Sequence, residues 1–204
     1  MKTPLFITCL LLFCLAGAAI RAQTVEFEKL HPVWESAGFS ITDYEVSDDG
    51  EGGYLIAACT FLFNPQENTD VALFRLDAQG DTLWRLTLGG ASGDVIKAIS
   101  RTADGNFMLA GAHWVQPDWS GSSSGSLIWL IKMDPDGNIL WEKDIDPGWF
   151  YGWPTAVFEQ ADGSIMVGGN AYMYWEYSTF LAKFDESGNY KWLERYANFS
   201  DFSH

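Results

Sequence analysis

The stretch Gly121-Ser122-Ser123-Ser124-Gly125 matches the G-x-S-x-G pattern that carries the nucleophile of many hydrolases. In that pattern the serine is reactive because it lies on a sharp turn between a preceding strand and a following helix. Here the serines belong to a Ser/Gly tract, and the apolar run that follows at 127–133 is typical of a strand. A loop explains such a tract better than a nucleophile turn does. We therefore predict no nucleophile here.

Histidines and carboxylates, the other groups that could do chemistry, show no spacing that indicates a site. His31, His113 and His204 are scattered, whereas metal ligands usually recur at short intervals. We interpret His113 as a structural histidine. Residues 48–52 and 134–138 resemble calcium loops, but neither has the downstream glutamate in register, and turn geometry explains their Asp and Gly. No pair of facing carboxylates stands out for glycoside hydrolysis. The sequence predicts no catalytic residue, no metal and no cofactor, and it favours a protein that is not an enzyme.

Aromatic residues are grouped in three stretches where the sequence predicts loops. Grouped aromatics at a surface often mark recognition. Rings beside carboxylates would suit sugars, since C–H faces stack on the rings while carboxylates accept hydrogen bonds from hydroxyls. The alternative is that these rings cover the junctions between repeats. The candidate ligand-binding residues are Trp114, Trp119, Trp149, Tyr151, Trp153, Tyr174, Trp175 and Tyr177.

A four-residue pattern recurs three times and defines the elements that would position these groups. It consists of a basic residue, an aspartate two positions on, a glycine three further and a tryptophan four after that. We expect each basic residue to pair with its own aspartate, at under about 1 kcal/mol, and each tryptophan to pack on the next repeat. The three copies are Arg75/Asp77/Gly80/Trp84, Lys132/Asp134/Gly137/Trp141 and Lys183/Asp185/Gly188/Trp192.

Each repeat contains four predicted strands. Two are joined by an Asp-Gly turn, as Val95–Arg101 and Phe107–Ala112 are around Asp104-Gly105, and two by the Asp-x-x-Gly turn. Four strands in roughly 55 residues is the sequence signature of a propeller blade. The run Leu127–Ile131 is apolar on both faces, and stacked blades would cover both. The fold class predicted is all-β, a β-propeller-like array of about three four-stranded antiparallel blades.

The connections of an antiparallel blade alternate between its two ends. The short Asp-Gly and Asp-x-x-Gly turns therefore share one end, while the second–third loops and the connections between blades share the other. The aromatic groups fall in the second set, so we expect them at one end of the array.

The boundaries follow from the repeat. Because propellers usually have four to eight blades, we expect an incomplete propeller, a fragment whose open strand edges pair with further blades of a longer chain or with a second copy. The segments are a signal peptide at 1–22, an N-terminal edge segment at 23–35, blade 1 at 36–88, blade 2 at 89–145, blade 3 at 146–196 and the start of a further blade at 197–204.

The phrases GGYLIAACTF and DGNFMLAGAHW, with VALFRLDAQGDTLW and LIWLIKMDPDGNILW, resemble the repeats of secreted bacterial β-propellers. The resemblance covers about residues 36–196. It implies a propeller of four-stranded blades that acts as a secreted or surface-exposed module. The Asp-x-x-Gly-x-x-x-Trp core is also similar to the tryptophan-docking repeats of quinoprotein dehydrogenases. The paired cysteines of those enzymes are missing, so this second likeness implies blade packing rather than a cofactor.

The N-terminus predicts export. Lys2 precedes an apolar run, Leu5–Ala19, and small residues end at Ala22. That run is short for a membrane span of about 20 residues, so a cleaved signal is favoured over an anchor. Cleavage would remove Cys9 and Cys14 and leave Cys59, in an apolar run, as a buried thiol with no intrachain disulfide.

The chain is strongly acidic. It has 12 basic and 27 acidic residues and a formal charge of −15; losing Lys2 and Arg21 with the signal would make it −17. Such a surface repels nucleic acid, whose binding needs basic residues against phosphates.

The function predicted is an exported, secreted or cell-surface, non-catalytic β-propeller module for protein or surface interaction, with no membrane partner after cleavage. One alternative is a carbohydrate-binding protein that uses the aromatic loops on a glycan. A second is a fragment of a propeller hydrolase or quinoprotein whose catalytic blades lie elsewhere.

Overall fold

The computed structural model describes residues 39–62, 70–90, 93–115, 125–148, 151–173 and 176–196. The predicted signal peptide at 1–22, the edge segment at 23–35 and the further blade at 197–204 lie outside these residues. Within them, no helix is long and apolar enough to cross a membrane.

The described residues form twelve β-strands in three antiparallel sheets. Each sheet is a meander in which strands adjacent in sequence are also adjacent in space. The all-β class is therefore confirmed, with three four-stranded sheets arranged like propeller blades. Blade 1 contains β1 (Phe39–Asp48), β2 (Tyr54–Leu62), β3 (Val71–Leu76) and β4 (Thr82–Leu88); blade 2 contains β5 (Asp94–Arg101), β6 (Phe107–Val115), β7 (Gly125–Met133) and β8 (Ile139–Ile145); blade 3 contains β9 (Tyr151–Glu159), β10 (Ile165–Met173), β11 (Glu176–Phe184) and β12 (Tyr190–Tyr196).

The blades pack through their faces. The first strands adjoin in order, β1 against β5 and β5 against β9. Two apolar cores result, one between each pair of neighbouring blades. The first joins Leu55 and Leu73 of blade 1 to Phe107 and Ile131 of blade 2. The second joins residues such as Met108 and Leu130 of blade 2 to Val167 and Phe184 of blade 3.

Strand alternation explains why blade 2 serves both cores. Consecutive side chains on a strand point to opposite faces. Met108 therefore faces blade 3 while Phe107 and Leu109 face blade 1. A strand with both faces covered must be apolar throughout, and β7 is buried along nearly its whole length. The outer strand β8 alternates between half-buried and exposed residues.

The aspartate of each Asp-x-x-Gly turn holds its own turn together. Asp134 Oδ1 accepts hydrogen bonds from the backbone N–H of Asp136 (3.0 Å) and Asn138 (2.8 Å). Asp77 and Asp185 do the same in their turns. The pKa of Asp134 is lowered, first by the Asn138 side chain and then by backbone N–H groups, all of which stabilise the carboxylate.

This arrangement corrects the ion pairs expected from the sequence. The basic residue of the repeat does not pair with the aspartate two positions on. Arg75 pairs with Asp49, Lys132 with Asp104 and Lys183 with Asp162, all within the same blade. The physical reason is that residues i and i+2 lie about 7 Å apart along a strand, whereas the turn between the first two strands of the blade lies beside the basic residue.

The repeat tryptophans of blades 1 and 2 lie on the next blade. Trp84 Nε1 donates to the carbonyl of Pro135 (2.9 Å), and its ring covers Gly137. Trp141 covers Gly188 in the same way, and a Cβ at Gly188 would be 2.8 Å from its ring. The glycines take positive φ values of 90° and 76°, which a non-glycine residue adopts only at a cost. Gly therefore serves both the turn and the close approach of the ring.

The glycine of the first copy, Gly80, has the same turn geometry as the other two. It takes a φ of 75°, and its N–H donates to the carbonyl of Asp77 (3.0 Å), so it serves its turn as Gly137 and Gly188 do. Gly80 is also buried.

Candidate functional site

The two ends of the array differ in their electrostatics. The end formed by the β1–β2, β5–β6 and β9–β10 turns, with the Asp-x-x-Gly turns, is called the turn end below. Its carboxylates are matched by basic side chains and by backbone N–H groups. The opposite end, which carries Asp70, Asp94, His113 and Asp144, is called the loop end.

A buried ion pair closes the turn end of blade 1. Arg75 Nη2 contacts Asp49 Oδ2, and Arg75 Nη1 donates to the carbonyl of Leu76 (3.0 Å). Burial alone would raise the pKa of Asp49, but hydrogen bonds from the backbone of Glu51 and Gly53 and from Arg75 bring it below its ordinary value. Arg75 also lies over the Phe107 ring of blade 2, 5.9 Å from its centroid.

The turn ends of blades 2 and 3 are linked by a second cluster. Lys132 Nζ lies 2.8 Å from Asp104 Oδ2 and 3.7 Å from Glu159 Oε1. Glu159 also accepts the backbone N–H of Ala103 (2.8 Å). Although burial opposes it, hydrogen bonds from Lys132, Thr102 and the Asn106 backbone hold the pKa of Asp104 far below its usual range. These polar groups form ion pairs and hydrogen bonds with one another, so the cluster connects the two blades structurally.

The loop end carries a different kind of cluster, called the His113 cluster. Its members are Asp94, His113, Trp129, Glu142 and Asp144. The His113 ring lies between two carboxylates, with Nδ1 at 2.8 Å from Asp144 Oδ1 and Nε2 at 3.6 Å from Asp94 Oδ1. It packs on Trp129 with ring centroids 4.1 Å apart, and Trp129 Nε1 donates to Glu142 Oε1 (2.7 Å).

Strand pairing assembles this cluster. Asp94 opens β5 and stands opposite His113 near the end of β6. His113 is in turn opposite Leu127 of β7, and Trp129 is opposite Asp144 of β8. Four strands of one blade thus bring the residues together at its loop end.

Two carboxylates of the loop end are held in a poorly solvated position. Asp94 is only 2% exposed. Burial raises its pKa, although the backbone N–H of Gly90 (2.6 Å) and His113 favour the charged form, and Asp70 and Asp144 oppose it. Burial also raises the pKa of Asp70. Both carboxylates come within 3 Å of the point where a Cβ on Gly89 would stand, so only glycine fits beside them.

The arrangement limits the chemistry of the loop end. Asp94 is buried, and its carboxylate lies close to the His113 ring but beyond hydrogen-bond distance from it. His113 is one-fifth exposed and Asp144 nearly half exposed, so these two can contact a ligand. Within the described ranges, no group of three or more His, Cys, Asp or Glu side chains could hold a metal ion.

The aromatic residues expected in loops are located as follows. Trp119, Trp149, Tyr174 and Trp175 lie outside the described residues. Trp114 lies in β6, Tyr151 and Trp153 in β9, and Tyr177 in β11. The expectation that these four occupy loops is therefore wrong. The strands extend further because aromatic side chains favour paired strands, and Tyr172 and Tyr177 stand directly opposite each other.

The structure brings only some of these aromatic residues together. Tyr172 and Tyr177 pack with ring centroids 4.7 Å apart, and Tyr177 is 62% exposed. Trp153 is half-buried on the same side of the blade 3 sheet, because it pairs with Asn170, two residues from Tyr172. Trp114, also half-buried, follows His113 in blade 2.

Sequence reasoning missed the His113 cluster. A signal exists, because counting outward from the Asp104-Gly105 turn places His113 near the start of β5. Simple counting is off by one, since a β-bulge between Ile96 and Ala98 shifts the register. Asp144 and Trp129 lie on β8 and β7. The register of β7 against β6 could not be predicted from the sequence, because the length of the segment between these two strands does not fix it.

Comparisons with known proteins add little. No protein-family model and no curated protein matches the chain. A crystal structure of a variant ACO/RPE65 chimera in a monoclinic form is similar, with 14% identity, a TM-score of 0.39 and coverage of 71% of this chain and 34% of that one. A second ACO/RPE65 chimera gives 12% identity, a TM-score of 0.38 and coverage of 71% and 35%. The chain spans about a third of the length of these structures. Similarity at this level carries no argument about function.

Proposed function

We propose that the protein is an exported, non-catalytic interaction module that binds its partner at the loop end of the blades, around His113 and Asp144. The observation that carries this proposal is the geometry of the His113 cluster, in which a partly exposed imidazole lies between Asp94 and Asp144 and packs on Trp129. The contrast between the two ends supports it. Ion pairs and turn N–H groups lower the carboxylate pKa values at the turn end, while burial raises those of Asp70 and Asp94 at the loop end.

The contrast between the two ends matters because a binding surface must offer groups that a partner stabilises when it binds. A carboxylate whose charge is poorly solvated gains from any new hydrogen-bond donor or cation. Asp144 and His113 are the exposed members of the cluster through which such a donor could act. Aromatic packing by Trp129 fixes the His113 ring and gives the surface a defined shape.

The test compares loop-end and turn-end variants for binding to a glycan array and to intact bacterial cells. His113→Gln and Asp144→Asn remove loop-end groups, and Lys183→Gln is the matched control at the turn end. We expect the unmodified chain and Lys183→Gln to be retained equally and the loop-end variants to lose most of the retention. Loss with Lys183→Gln alone, or turnover of chromogenic glycosides by the chain, would contradict the proposal.

A glycan is the second candidate partner, and the Tyr172–Tyr177 pair favours it. Their packed rings, with Tyr177 largely exposed, form a surface on which a sugar ring could stack. The glycan array separates the candidates. Array binding that is lost in Tyr177→Ala supports the glycan, whereas cell retention without any array signal supports a protein partner.

Export is part of the same proposal. It is supported by the N-terminal sequence and by the resemblance to secreted bacterial propeller repeats. Expression of the full chain in a bacterium, followed by N-terminal sequencing of the extracytoplasmic fraction, should give a mature chain that begins near Gln23. A chain retained in the cytoplasm with Met1 intact would contradict export.

A further inference from the structure

At each interface between described blades, the earlier blade contributes the same side of its sheet. The residues on that side occupy equivalent positions of the repeat. In blade 1 the register aligns Leu55, Arg75 and Trp84 across β2, β3 and β4. In blade 2 it aligns Met108, Lys132 and Trp141 across β6, β7 and β8. Residues opposite in register share a side of the sheet. Leu55 and Met108 are both completely buried by the next blade.

The same side of blade 3 has no such cover among the described residues. The register aligns Phe158, Met166, Lys183 and Trp192 across its four strands. Phe158 is 47% exposed and Trp192 is 37% exposed. Leu181, the counterpart of the fully buried Leu73 and Leu130, is only half-buried.

This side of the sheet is called the blade 3 outer face. It is unusually rich in aromatic side chains, since Tyr196 is also exposed and Trp153 lies on the same side. Exposed apolar patches of this kind mark interaction sites. Its members are Trp153, Phe158, Leu181, Trp192 and Tyr196, which surround the buried Met166.

The geometry points to a further blade of the same repeat as the partner of the blade 3 outer face. That blade presents a positive-φ glycine of an Asp-x-x-Gly turn to Trp192, as Gly137 does to Trp84 and Gly188 to Trp141. It also presents an apolar sheet side to Phe158 and Leu181, as blade 3 presents Val167 and Phe184 to blade 2. The proposal does not depend on the His113 cluster, which belongs to blade 2. The Tyr172–Tyr177 pair lies on the same side of the blade 3 sheet, near its loop end, so a further blade would compete with a glycan there.

The choice of partner rests on repetition of an established interface. Two of the three repeat tryptophans in the described chain pack over a glycine turn of the next blade, and both do so with the face of the ring against the turn. Trp192 offers the same ring at the same register position, opposite Lys183. A glycine turn suits this close approach, because a Cβ would lie 2.8 Å from the Trp141 ring at Gly188 and 3.3 Å from the Trp84 ring at Gly137.

The test supplies such a blade. The chain is continued after Tyr196 by a second copy of residues 146–196, whose Gly188 is then available to Trp192. Residue-resolved hydroxyl-radical labelling measures the oxidation rate of each tryptophan. In the unextended chain we expect Trp192 to be oxidised faster than Trp84 and Trp141. In the extended chain its rate should fall to that of Trp141.

The matched control changes Gly188→Val in the appended copy alone. We expect it to restore fast oxidation of Trp192, because the added side chain keeps the turn off the ring. An extended chain that is folded by circular dichroism but still oxidises Trp192 at the unextended rate would overturn the proposal. A second extension with residues 89–145, which supplies Gly137, guards against a failure peculiar to the first.

The unextended chain gives an independent measurement. Trp192→Ala should leave the urea midpoint nearly unchanged, whereas Trp141→Ala should lower it clearly, because only Trp141 has a partner blade. Equal losses would overturn the proposal. Protection of Trp192 that grows with the concentration of the unextended chain, together with a dimer in sedimentation, would assign the face to a second copy and overturn it too.

Discussion

At the scale of single residues, the glycines of the Asp-x-x-Gly turns are needed for two reasons that the sequence cannot separate: a positive φ in the turn and the close approach of a tryptophan ring. Gly188 takes φ 76° and lies beneath the Trp141 ring. Gly148 takes a nearly equal φ of 74° but has nothing within 4 Å of its would-be Cβ. The pair therefore distinguishes the conformational requirement from the packing requirement.

We predict that Gly188→Ala destabilises the protein more than Gly148→Ala does. Both variants incur about 1 kcal/mol for a non-glycine residue at positive φ. Gly188→Ala adds about 1–2 kcal/mol because its Cβ displaces the tryptophan. Urea unfolding at pH 7 measures the two free energies. Equal losses would show that the ring moves aside freely and that the contact contributes nothing.

The Arg75–Asp49 pair is the second residue-scale feature with a measurable consequence. Both side chains are less than one-tenth exposed, so removing either leaves a buried charge. The pKa of Asp49 is lowered in the folded state. A lowered carboxyl pKa adds stability above the unfolded value of about 3.9, and that stability is lost as pH falls through the folded pKa.

We predict that Arg75→Leu lowers the unfolding free energy by about 3 kcal/mol at pH 7. The difference between variant and parent should shrink as the pH falls from 7 to 3, because protonation neutralises Asp49. Lys191→Ala, which removes the exposed partner of Asp185 (2.9 Å), is the control and should change stability little at any pH. A constant deficit from pH 7 to 3 would mean that the arginine acts through packing on Phe107 instead.

At the scale of elements, the first strand of every blade contains a β-bulge. The shifts in register lie between Ile41 and Asp43 in β1, between Ile96 and Ala98 in β5, and between Pro154 and Ala156 in β9. A bulge strengthens the local twist of a strand. In blades 2 and 3 a glycine on the second strand, Gly111 or Gly169, faces the bulge at close range.

We predict that Gly111→Ala and Gly169→Ala prevent stable folding. Their Cβ atoms would lie 1.8 Å from the carbonyl oxygen of Val95 and 2.3 Å from that of Trp153. These are backbone atoms that cannot yield without breaking the bulge. Gly168→Ala is the matched control, since its nearest contacts are at 3.7 Å and 3.8 Å. Thermal unfolding followed by circular dichroism should show a transition near the parental temperature only for Gly168→Ala.

The strands also show where the sequence was a poor guide. Apolar runs, Asp-Gly turns and the repeat core were enough to predict four strands per repeat. They placed the aromatic stretches in loops, because these stretches lie outside the predicted strands, as Trp114 lies beyond Phe107–Ala112. Cross-strand pairs such as Tyr172 with Tyr177 extend the sheet, and pairing with a partner strand is a tertiary property.

At the scale of the whole molecule, charge is the dominant global feature. The sequence carries a formal charge of −15, and the ion pairs of the turn end neutralise only part of it. Self-repulsion of such a surface destabilises the compact state and is screened by salt.

We predict that the urea midpoint at pH 7 rises when sodium chloride is increased from about 10 to about 150 mM. Screening of exposed acids should outweigh the weakening of the few exposed pairs, while the buried Arg75–Asp49 pair is screened least. The Arg75→Leu variant serves as a control and should gain as much from salt as the parent does. A midpoint that falls with salt would show that attractive pairs, rather than repulsion, dominate the surface.

The sequence by itself determined the all-β class, the four-strand repeat and the turns at the repeated Asp and Gly residues. These are local matters, set by turn geometry and by the two-residue period of strands. Only the tertiary structure decided that Arg75, Lys132 and Lys183 pair across to the first turn of the blade and that Asp94, His113 and Asp144 meet. It also decided that Phe158 and Trp192 of blade 3 are partly exposed. Such choices depend on register between strands and on which faces touch, and a one-residue bulge is enough to change both.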